Sequence, residues 1–304
     1  MAGKKTTKKT TSKKQHTPDY YPVQRTIPLS GTTAANGQIV SATMVGDAGR
    51  LLAQSNRRLY RYGMNYRMKL DLDISEAVAV PVDVEGDGLR KNWDVQRAFA
   101  LAKKHYDAAV ADELAMIDGA RWMDFRVNDG VTGAVELHPV TIDNSTLAVT
   151  VDDEGEHALS LVDDSGTPKT FSWGVAGGSN ISIRDEWIQS GRTSSDPSVT
   201  STNAPYEGLN ADGVDADEWT AVQNRGDAPP YRNTSDGDLL YKVGTLRYEP
   251  APGALQRLST GFFDAPCGLF VIKVKTGVNL AAGSVVLTAQ SGDYKGVFAK
   301  KMCQ

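Results

Sequence analysis

The chain of 304 residues carries 33 Lys and Arg against 37 Asp and Glu, a net charge of −4, with 40% hydrophobic and 23% charged residues. This composition excludes a chain that is disordered throughout, and the length allows a sizeable core in one large β domain or two smaller ones. The sequence shows neither an apolar run long enough to span a membrane nor the apolar segment of a signal peptide. We therefore expect a soluble protein made in the cytosol.

Residues 1–15, MAGKKTTKKTTSKKQ, form a basic arm with six lysines and no acid, which leaves 27 basic and 37 acidic groups for the rest of the chain. Lysine pairs alternating with threonine cannot build a core, so we expect this arm to be disordered. Such an arm binds phosphate backbones, because each neutralised phosphate releases a counterion. A solubilising tail or a nuclear-import signal is the alternative. The predicted nucleic-acid contacts are Lys4, Lys5, Lys8, Lys9, Lys13 and Lys14.

Residues 16–37 are rich in Pro, Thr and Gly, a composition that predicts an extended linker from the arm to a folded body. We expect that body to begin near Gln38 and to include the remaining residues, 38–304, as one domain.

A second basic stretch, RLLAQSNRRLYRYGMNYRMK at residues 50–69, contains no acid. Arginine interleaved with tyrosine suits single-stranded nucleic acid, because the cations hold phosphates while aromatic rings stack on bases. Tyrosines that lead into a strand are also common core residues, so Tyr60, Tyr62 and Tyr66 have two open interpretations. The predicted nucleic-acid contacts in this stretch are Arg50, Arg57, Arg58 and Arg61.

The clearest strand signal runs from Tyr66 to Ile74, where apolar and charged residues alternate strictly. Many short strands without a regular βαβ alternation predict a mainly β protein, with an antiparallel sandwich or barrel rather than a parallel α/β sheet. The other predicted strands are apolar, β-branched stretches, mostly between turn signals, at residues 39–45, 77–84, 135–142, 146–151, 239–248, 269–274 and 284–289.

One segment has helical periodicity instead. Residues 91–117 are rich in Ala and free of Gly and Pro, with Val95, Phe99 and Tyr106 among the apolar residues at helical spacing. This pattern predicts one helix or two consecutive helices that begin after Asn92 and end near Gly119. We expect the apolar stripe to pack on the β body rather than to form a cofactor site.

Residues 143–238 contain 18 acidic and five basic residues, which predicts long exposed loops or a projecting subdomain inserted between core strands. Part of this segment, ADGVDADEW, resembles a calcium loop but lacks the full ligand spacing of an EF-hand. A solvated acidic loop is the preferred interpretation, and weakly bound structural Ca²⁺ is the alternative; no organic cofactor is expected. The four carboxylates concerned are Asp212, Asp215, Asp217 and Glu218.

Sequence motifs for catalysis are missing. The four histidines form no HExxH pair, and neither GxSxG, a P-loop nor a GxGxxG after a strand occurs. We therefore expect a protein that is not an enzyme.

Three segments, AGRLLAQSNRRLYRYGMNYRMKLDLDI, NWDVQRAFALAKKHYDAA and ARWMDFRV, together within residues 48–127, resemble capsid proteins of circular, replication-initiator-encoding single-stranded DNA viruses. The resemblance implies an antiparallel eight-stranded jelly-roll sandwich with one or two inserted helices and long loops, self-assembly into an icosahedral shell, and packaging of a single-stranded DNA genome. It further implies that the lysine arm and the four arginines face that genome. Implied partners are other copies of the chain, the genome, host import machinery and a surface receptor, with no membrane insertion. Implied locations are the virion and the host nucleus and cytoplasm during assembly.

Two other functions remain open from the residues alone. In the first, the basic stretch at 50–69 forms the groove of a non-capsid protein that binds single-stranded nucleic acid. In the second, Trp187, Tyr206 and Trp219 with nearby carboxylates form a carbohydrate-binding or hydrolytic site on a β-sandwich, although receptor contacts or ordinary loop packing would use the same aromatic residues.

Overall fold

The computed structural model of the chain describes residues 22–31, 38–74, 78–116, 124–129, 134–142, 149–150, 161–162, 168–174, 180–190, 240–251 and 257–302. The strands are β1 (Thr26–Gly31), β2 (Thr43–Asp47), β3 (Met64–Asp73), β4 (Val82–Leu89), β5 (Val135–Pro139), β6 (Thr141–Ile142), β7 (Val149–Thr150), β8 (Leu161–Val162), β9 (Pro168–Ser172), β10 (Asn180–Ser182), β11 (Leu240–Tyr248), β12 (Arg257–Ser259), β13 (Phe263–Pro266), β14 (Leu269–Thr276), β15 (Val285–Ala289) and β16 (Ala299–Lys301). The helices are α1 (Ala48–Asn56), α2 (Trp93–Met116) and α3 (Ile183–Ser190).

The protein is mainly β, as predicted. Its large sheet has the strand order β11-β4-β14-β2-β5-β1-β15-β3-β12, and β13 and β16 pair with β3 as well. The ends of this order approach each other, since the Tyr241 hydroxyl on β11 donates a hydrogen bond to the Asp264 carbonyl on β13 at 3.4 Å. The sheet is therefore nearly closed, and its inner face encloses the main core.

The expectation of a purely antiparallel sheet is wrong, because β5 is antiparallel to β1 but parallel to β2. The reason is topological. The strands β1 and β2 run in opposite directions on either side of β5, so a strand between them has to be parallel to one of them. A second parallel pair, β9 with β10, lies in a separate three-stranded sheet with β8.

The strand β1 corrects the predicted linker at 16–37. It pairs with β15 and β5, and Ile27 and Leu29 are fully buried. The folded body therefore includes Thr26 and does not begin near Gln38. The composition did not indicate this strand, because Pro28 and Gly31 are typical of loops. Its partner β15 also lies more than 250 residues further along the chain, so the sequence around β1 gives no sign of the pairing.

The strand β3 confirms the strongest periodic signal in the sequence. Tyr66, Met68, Leu70 and Leu72 are all at most 1% exposed, whereas Arg67 between them is exposed. Alternate side chains of a strand point to opposite faces, so the apolar set fills the main core.

The helix α2 confirms the predicted helix. It is continuous, it follows Asn92, and the Gln96 N–H donates to the Asn92 carbonyl at 3.3 Å. Its stripe, including Val95, Phe99 and Tyr106, is buried in a second core. That core also contains Leu269 from the large sheet, so the stripe packs on the β body as expected. No helix in the described ranges is long and apolar enough to cross a membrane.

The acidic segment at 143–238 is described only in part, as β7 to β10 and α3. Trp187 of α3 is partly buried and packs edge-on against Trp93 of α2, with ring centroids 5.4 Å apart. This contact agrees with the packing interpretation for Trp187. Tyr206, Trp219 and the acidic segment ADGVDADEW lie outside the described residues.

Candidate nucleic-acid interface

The structure separates Arg50 from the other three predicted arginines. Arg50 lies in the first turn of α1 and is only 6% exposed, and its guanidinium forms an ion pair with Glu136 of β5. The prediction that Arg50 contacts nucleic acid is therefore corrected. In a helix packed against β5, this side chain is turned inward, where it holds α1 on the sheet.

Arg50 belongs to a buried group of charges. Asp47 begins α1 by accepting a hydrogen bond from the Arg50 N–H at 3.2 Å, and its second carboxylate oxygen lies 3.7 Å from Arg126. Burial raises the pKa of Asp47 to about 6, an effect that Arg126 and Arg50 oppose. Burial also disfavours the charged form of Glu136, but the opposite charge of Arg50 and its hydrogen bond outweigh this and lower the Glu136 pKa.

The remaining three arginines lie at the C-terminal end of α1 with a fourth cation that the sequence did not suggest. We call Arg57, Arg58, Arg61 and Lys295 the α1-end cluster. The three arginines are exposed, and Arg57 ends the helix in the left-handed conformation at φ 50°. The pKa of Lys295 is lowered by burial and then by the charges of Arg61 and Arg58, which outweigh the opposing effect of Asp124. These like charges therefore lie close enough to repel each other.

Buried tyrosines position this cluster. Tyr60, Tyr62 and Tyr66 are at most 1% exposed, so they belong to the core and their rings are not presented to bases. The Tyr66 hydroxyl donates to the Arg61 carbonyl at 2.6 Å, and the Tyr294 hydroxyl accepts from the Arg61 N–H at 3.1 Å. The backbone of Arg61 is thereby fixed, while its side chain, 57% exposed, pairs with Asp124 at 3.0 Å.

The chain that leads from the basic arm enters the body beside this cluster. The Asn56 amide accepts from the Gln24 N–H at 2.8 Å and donates to the Gln24 carbonyl at 3.0 Å. Val23 packs against Gly296, where a Cβ atom would lie 2.7 Å from a Val23 methyl group. Lys14, the last lysine of the arm, precedes Gln24 by ten residues, and a fully extended chain of this length spans at most about 35 Å. The arm itself lies outside the described residues.

The outer face of β4, β11 and β14 also carries cations, and these lie beside carboxylates. Lys242 and Lys275 lie 3.5 and 3.2 Å from the same Glu85 oxygen. Lys273 lies 2.8 Å from Asp87. These three lysines face two carboxylates, so most of their charge is offset, and this face is a weaker candidate for nucleic acid than the α1-end cluster, where Asp124 pairs with Arg61.

No protein family matches the chain, and no curated protein and no solved structure matches it either. The site is therefore judged on its own geometry. In the ranges described above, no three His, Cys, Asp or Glu side chains are grouped so that they could hold a metal ion. The four carboxylates Asp212, Asp215, Asp217 and Glu218 lie outside those ranges.

Two parts of the interface had no signal in the sequence. Lys295 reaches the cluster from a turn that follows β15, more than 230 residues after Arg61. Asn56 reads as a polar residue inside a basic stretch, and only the fold brings Gln24 to it. Of the four predicted arginines, the structure places Arg57, Arg58 and Arg61 together at the C-terminal end of α1, where all three are exposed.

Proposed function

We propose that this chain is a structural capsid subunit that self-assembles into a closed icosahedral shell and packages a single-stranded genome. Its body is an eight-stranded jelly roll whose two antiparallel sets of four strands are bridged at one edge by β5. The subunit catalyses no reaction and needs no organic cofactor.

The nesting of the strand pairs carries this proposal. When β12 and β13 are counted as one interrupted strand, eight strands pair first with last, second with seventh, third with sixth and fourth with fifth. These antiparallel pairs are β1 with β15, β2 with β14, β3 with β12 and β13, and β4 with β11. The four nested pairs together correspond to one long hairpin. The additional pairs β3–β15 and β4–β14 fold that hairpin into two sheets. Nested pairing of this kind is the topology of the jelly roll, a common capsid architecture.

The basic arm and the α1-end cluster supply the genome contacts in this proposal. The exposed arginines lie beside the point where the chain from the lysine-rich arm enters the body, and cations of both kinds bind phosphates without sequence preference. The resemblance to capsid proteins of circular single-stranded DNA viruses favours DNA, since the electrostatics alone are equal for RNA. The same resemblance favours the virion as the location, with import into the host nucleus directed by the arm.

Assembly and packaging are tested together on the purified full-length protein. Negative-stain electron microscopy and light scattering at low and high salt measure particle size, while the 260/280 nm absorbance ratio and nuclease digestion measure protected nucleic acid. We expect uniform closed particles that contain nuclease-resistant nucleic acid. A chain without residues 1–15 serves as the control: it should keep its β circular dichroism and lose most of the packaged nucleic acid.

A monomer or small oligomer under every condition would reject the capsid proposal. If that species bound single strands in a salt-dependent manner, the α1-end cluster would instead belong to a single-strand-binding protein.

A further inference from the structure

A basic cavity, whose lining includes none of the α1-end cluster residues, lies between the first two turns of α2 and the strand β16. Its volume is about 410 Å³, within the size range of small-molecule sites. Its lining includes two amide side chains and four cations, namely Asn65, Gln96, Lys91, Arg97, Lys300 and Lys301.

The fold brings these residues together from three distant parts of the chain. Lys300 is paired with Asn65 in the register of β16 and β3, and Lys301 is paired with Met64. The Met302 N–H donates to the Gly63 carbonyl at 3.1 Å and so continues this pairing past the strand. Because α2 begins at Trp93, two residues after Lys91, its first turns form the opposite wall.

The charges of the cavity favour an anion. The charge of Lys91 is offset by Asp264, which lies 3.0 Å away. The Lys300 ammonium lies 5.6 Å from the centre of the uncharged Phe298 ring. Arg97 and Lys301 add two more cations to the wall. The unpaired N–H groups of the first helical turn carry partial positive charge, which favours phosphate at this end of α2.

The uncharged side chain of Asn65, in the same cavity, indicates that the ligand has a neutral part in addition to an anionic group. Asn65 is only 4% exposed, and its side-chain oxygen has no hydrogen-bond partner among the described residues. A buried acceptor without a partner is costly, so a hydrogen-bond donor on a ligand would relieve it. The cavity therefore combines phosphate-binding cations with an acceptor for a neutral N–H or O–H group.

Trp93 extends the site along the helix. It has the i, i+3, i+4 spacing with Gln96 and Arg97 that places side chains on one face of a helix. Its side chain is 60% exposed, the largest exposure among the large apolar side chains described, although one edge packs against Trp187. An exposed indole beside phosphate-binding cations is a surface on which a nucleic-acid base stacks.

We propose that this cavity binds one nucleotide of a single-stranded nucleic acid. Arg97, Lys300 and Lys301 hold the phosphate, Asn65 accepts a hydrogen bond from the base or sugar, and the neighbouring base stacks on Trp93. The inference rests on the proposed function in taking the packaged strand as the occupant. Its test does not need a shell to form.

The test uses the full-length protein, freed of bound nucleic acid by nuclease and high salt, in isothermal titration calorimetry. The probes are inorganic phosphate, the mononucleotide dTMP and the dinucleotide d(TpT). We expect dTMP to bind about tenfold or more tightly than phosphate. The variants Asn65→Ala and Lys300→Gln/Lys301→Gln should each weaken dTMP binding about tenfold, the equivalent of one lost hydrogen bond or charge contact.

A matched control carries the same change of charge elsewhere on α2. Lys103→Gln/Lys104→Gln removes two lysines from the solvent side of that helix, where Lys103 pairs with Asp107 at 2.8 Å, and should bind dTMP like the parent protein. Trp93→Ala should weaken d(TpT) binding and leave dTMP binding unchanged. Thermal melts followed by circular dichroism establish that each variant is folded.

Equal affinity for phosphate and dTMP would overturn the nucleotide assignment, as would equal effects of the lysine pair and its control. An unchanged d(TpT) affinity in Trp93→Ala would overturn the stacking role. Shells that form without dTMP binding would reject this site and leave the capsid proposal standing, whereas dTMP binding without shells would do the reverse.

Discussion

Two opposing effects act on the Asp47 carboxyl group: its hydrogen bond and charged partners favour the ionised form, whereas burial favours the protonated form. As the first residue of the α1 cap it accepts a hydrogen bond from the Arg50 N–H, and as a carboxylate it lies 3.7 Å from the buried Arg126. Burial raises its pKa to about 6. A carboxyl group that stays protonated in the folded state but ionises in the unfolded state makes stability depend on pH.

This predicts a loss of stability as the pH rises from about 4 to about 6. The unfolded group ionises near its ordinary pKa of 3.8, whereas the folded group retains its proton up to about pH 6. The folded state therefore binds more protons in this window, and the stabilisation present below pH 4 falls by about 3 kcal/mol above pH 6. Urea denaturation of the dissociated chain at several pH values, compared with Asp47→Asn, measures the effect.

The Asp47→Asn variant isolates this carboxyl group because Asn is also a good N-cap residue. Contributions from other titrating groups cancel in the difference between the two proteins. We expect the free energy of unfolding of the parent, minus that of the variant, to decrease between pH 4 and pH 7. A difference that does not change with pH would contradict the raised pKa.

At the scale of elements, hydrophobic periodicity predicted the strand and the helix that a single segment of sequence determines by itself. The alternation in β3 and the helical stripe of α2 were sufficient to locate both, because each follows from the geometry of one segment. The helix α1 was missed because its nine residues form only about two and a half turns, too few for a helical repeat to stand out in the sequence, and burial of Leu51 and Leu52 in the main core stabilises it. The position of β5 between β1 and β2 depends on long-range pairing, which a single sequence does not contain.

The candidate site divides in the same way. The basic stretch at 50–69 was correctly read as cationic, but only the fold shows that Arg50 turns inward while Arg58 and Arg61 remain exposed. The sequence does not decide the role of Tyr60, Tyr62 and Tyr66, because a tyrosine beside an arginine has the same sequence pattern whether its ring stacks on a base or fills a core.

The connection between β1 and α1 gives a second prediction. Asn56→Ala removes both hydrogen bonds to Gln24 and the one to Leu52, and should lower the free energy of unfolding by about 1–2 kcal/mol. Hydrogen exchange at the Gln24 amide should become faster, because its acceptor is lost. Ser55→Ala is the control, since the Ser55 hydroxyl has no hydrogen-bond partner among the described residues. Equal exchange in both variants would show that Asn56 does not hold the root of the arm.

For the whole molecule, the cation count sets how strongly a shell could hold its genome. If about sixty copies form the shell, six arm lysines per copy supply about 360 positive charges, and the four cations of the α1-end cluster raise this to about 600. A genome of a few thousand nucleotides would be neutralised only in part. Packaging by this protein should therefore be strongly salt-dependent and should require additional cations, to which the cavity at α2 would contribute.

The contrast between the two charged surfaces predicts which of them faces the genome. Arg58→Gln/Arg61→Gln removes two cations from the α1-end cluster, whereas Lys242→Gln/Lys275→Gln removes two cations that share Glu85 on the outer face of β4. The first pair should reduce the slope of log affinity for a single-stranded oligonucleotide against log salt by about 1.4, and should lower the protected nucleic acid per particle. The second pair should change both quantities much less, because Glu85 already offsets part of the charge of its two lysines. The reverse result would place the outer face of β4, β11 and β14 against the genome and remove the α1-end cluster from the packaging surface.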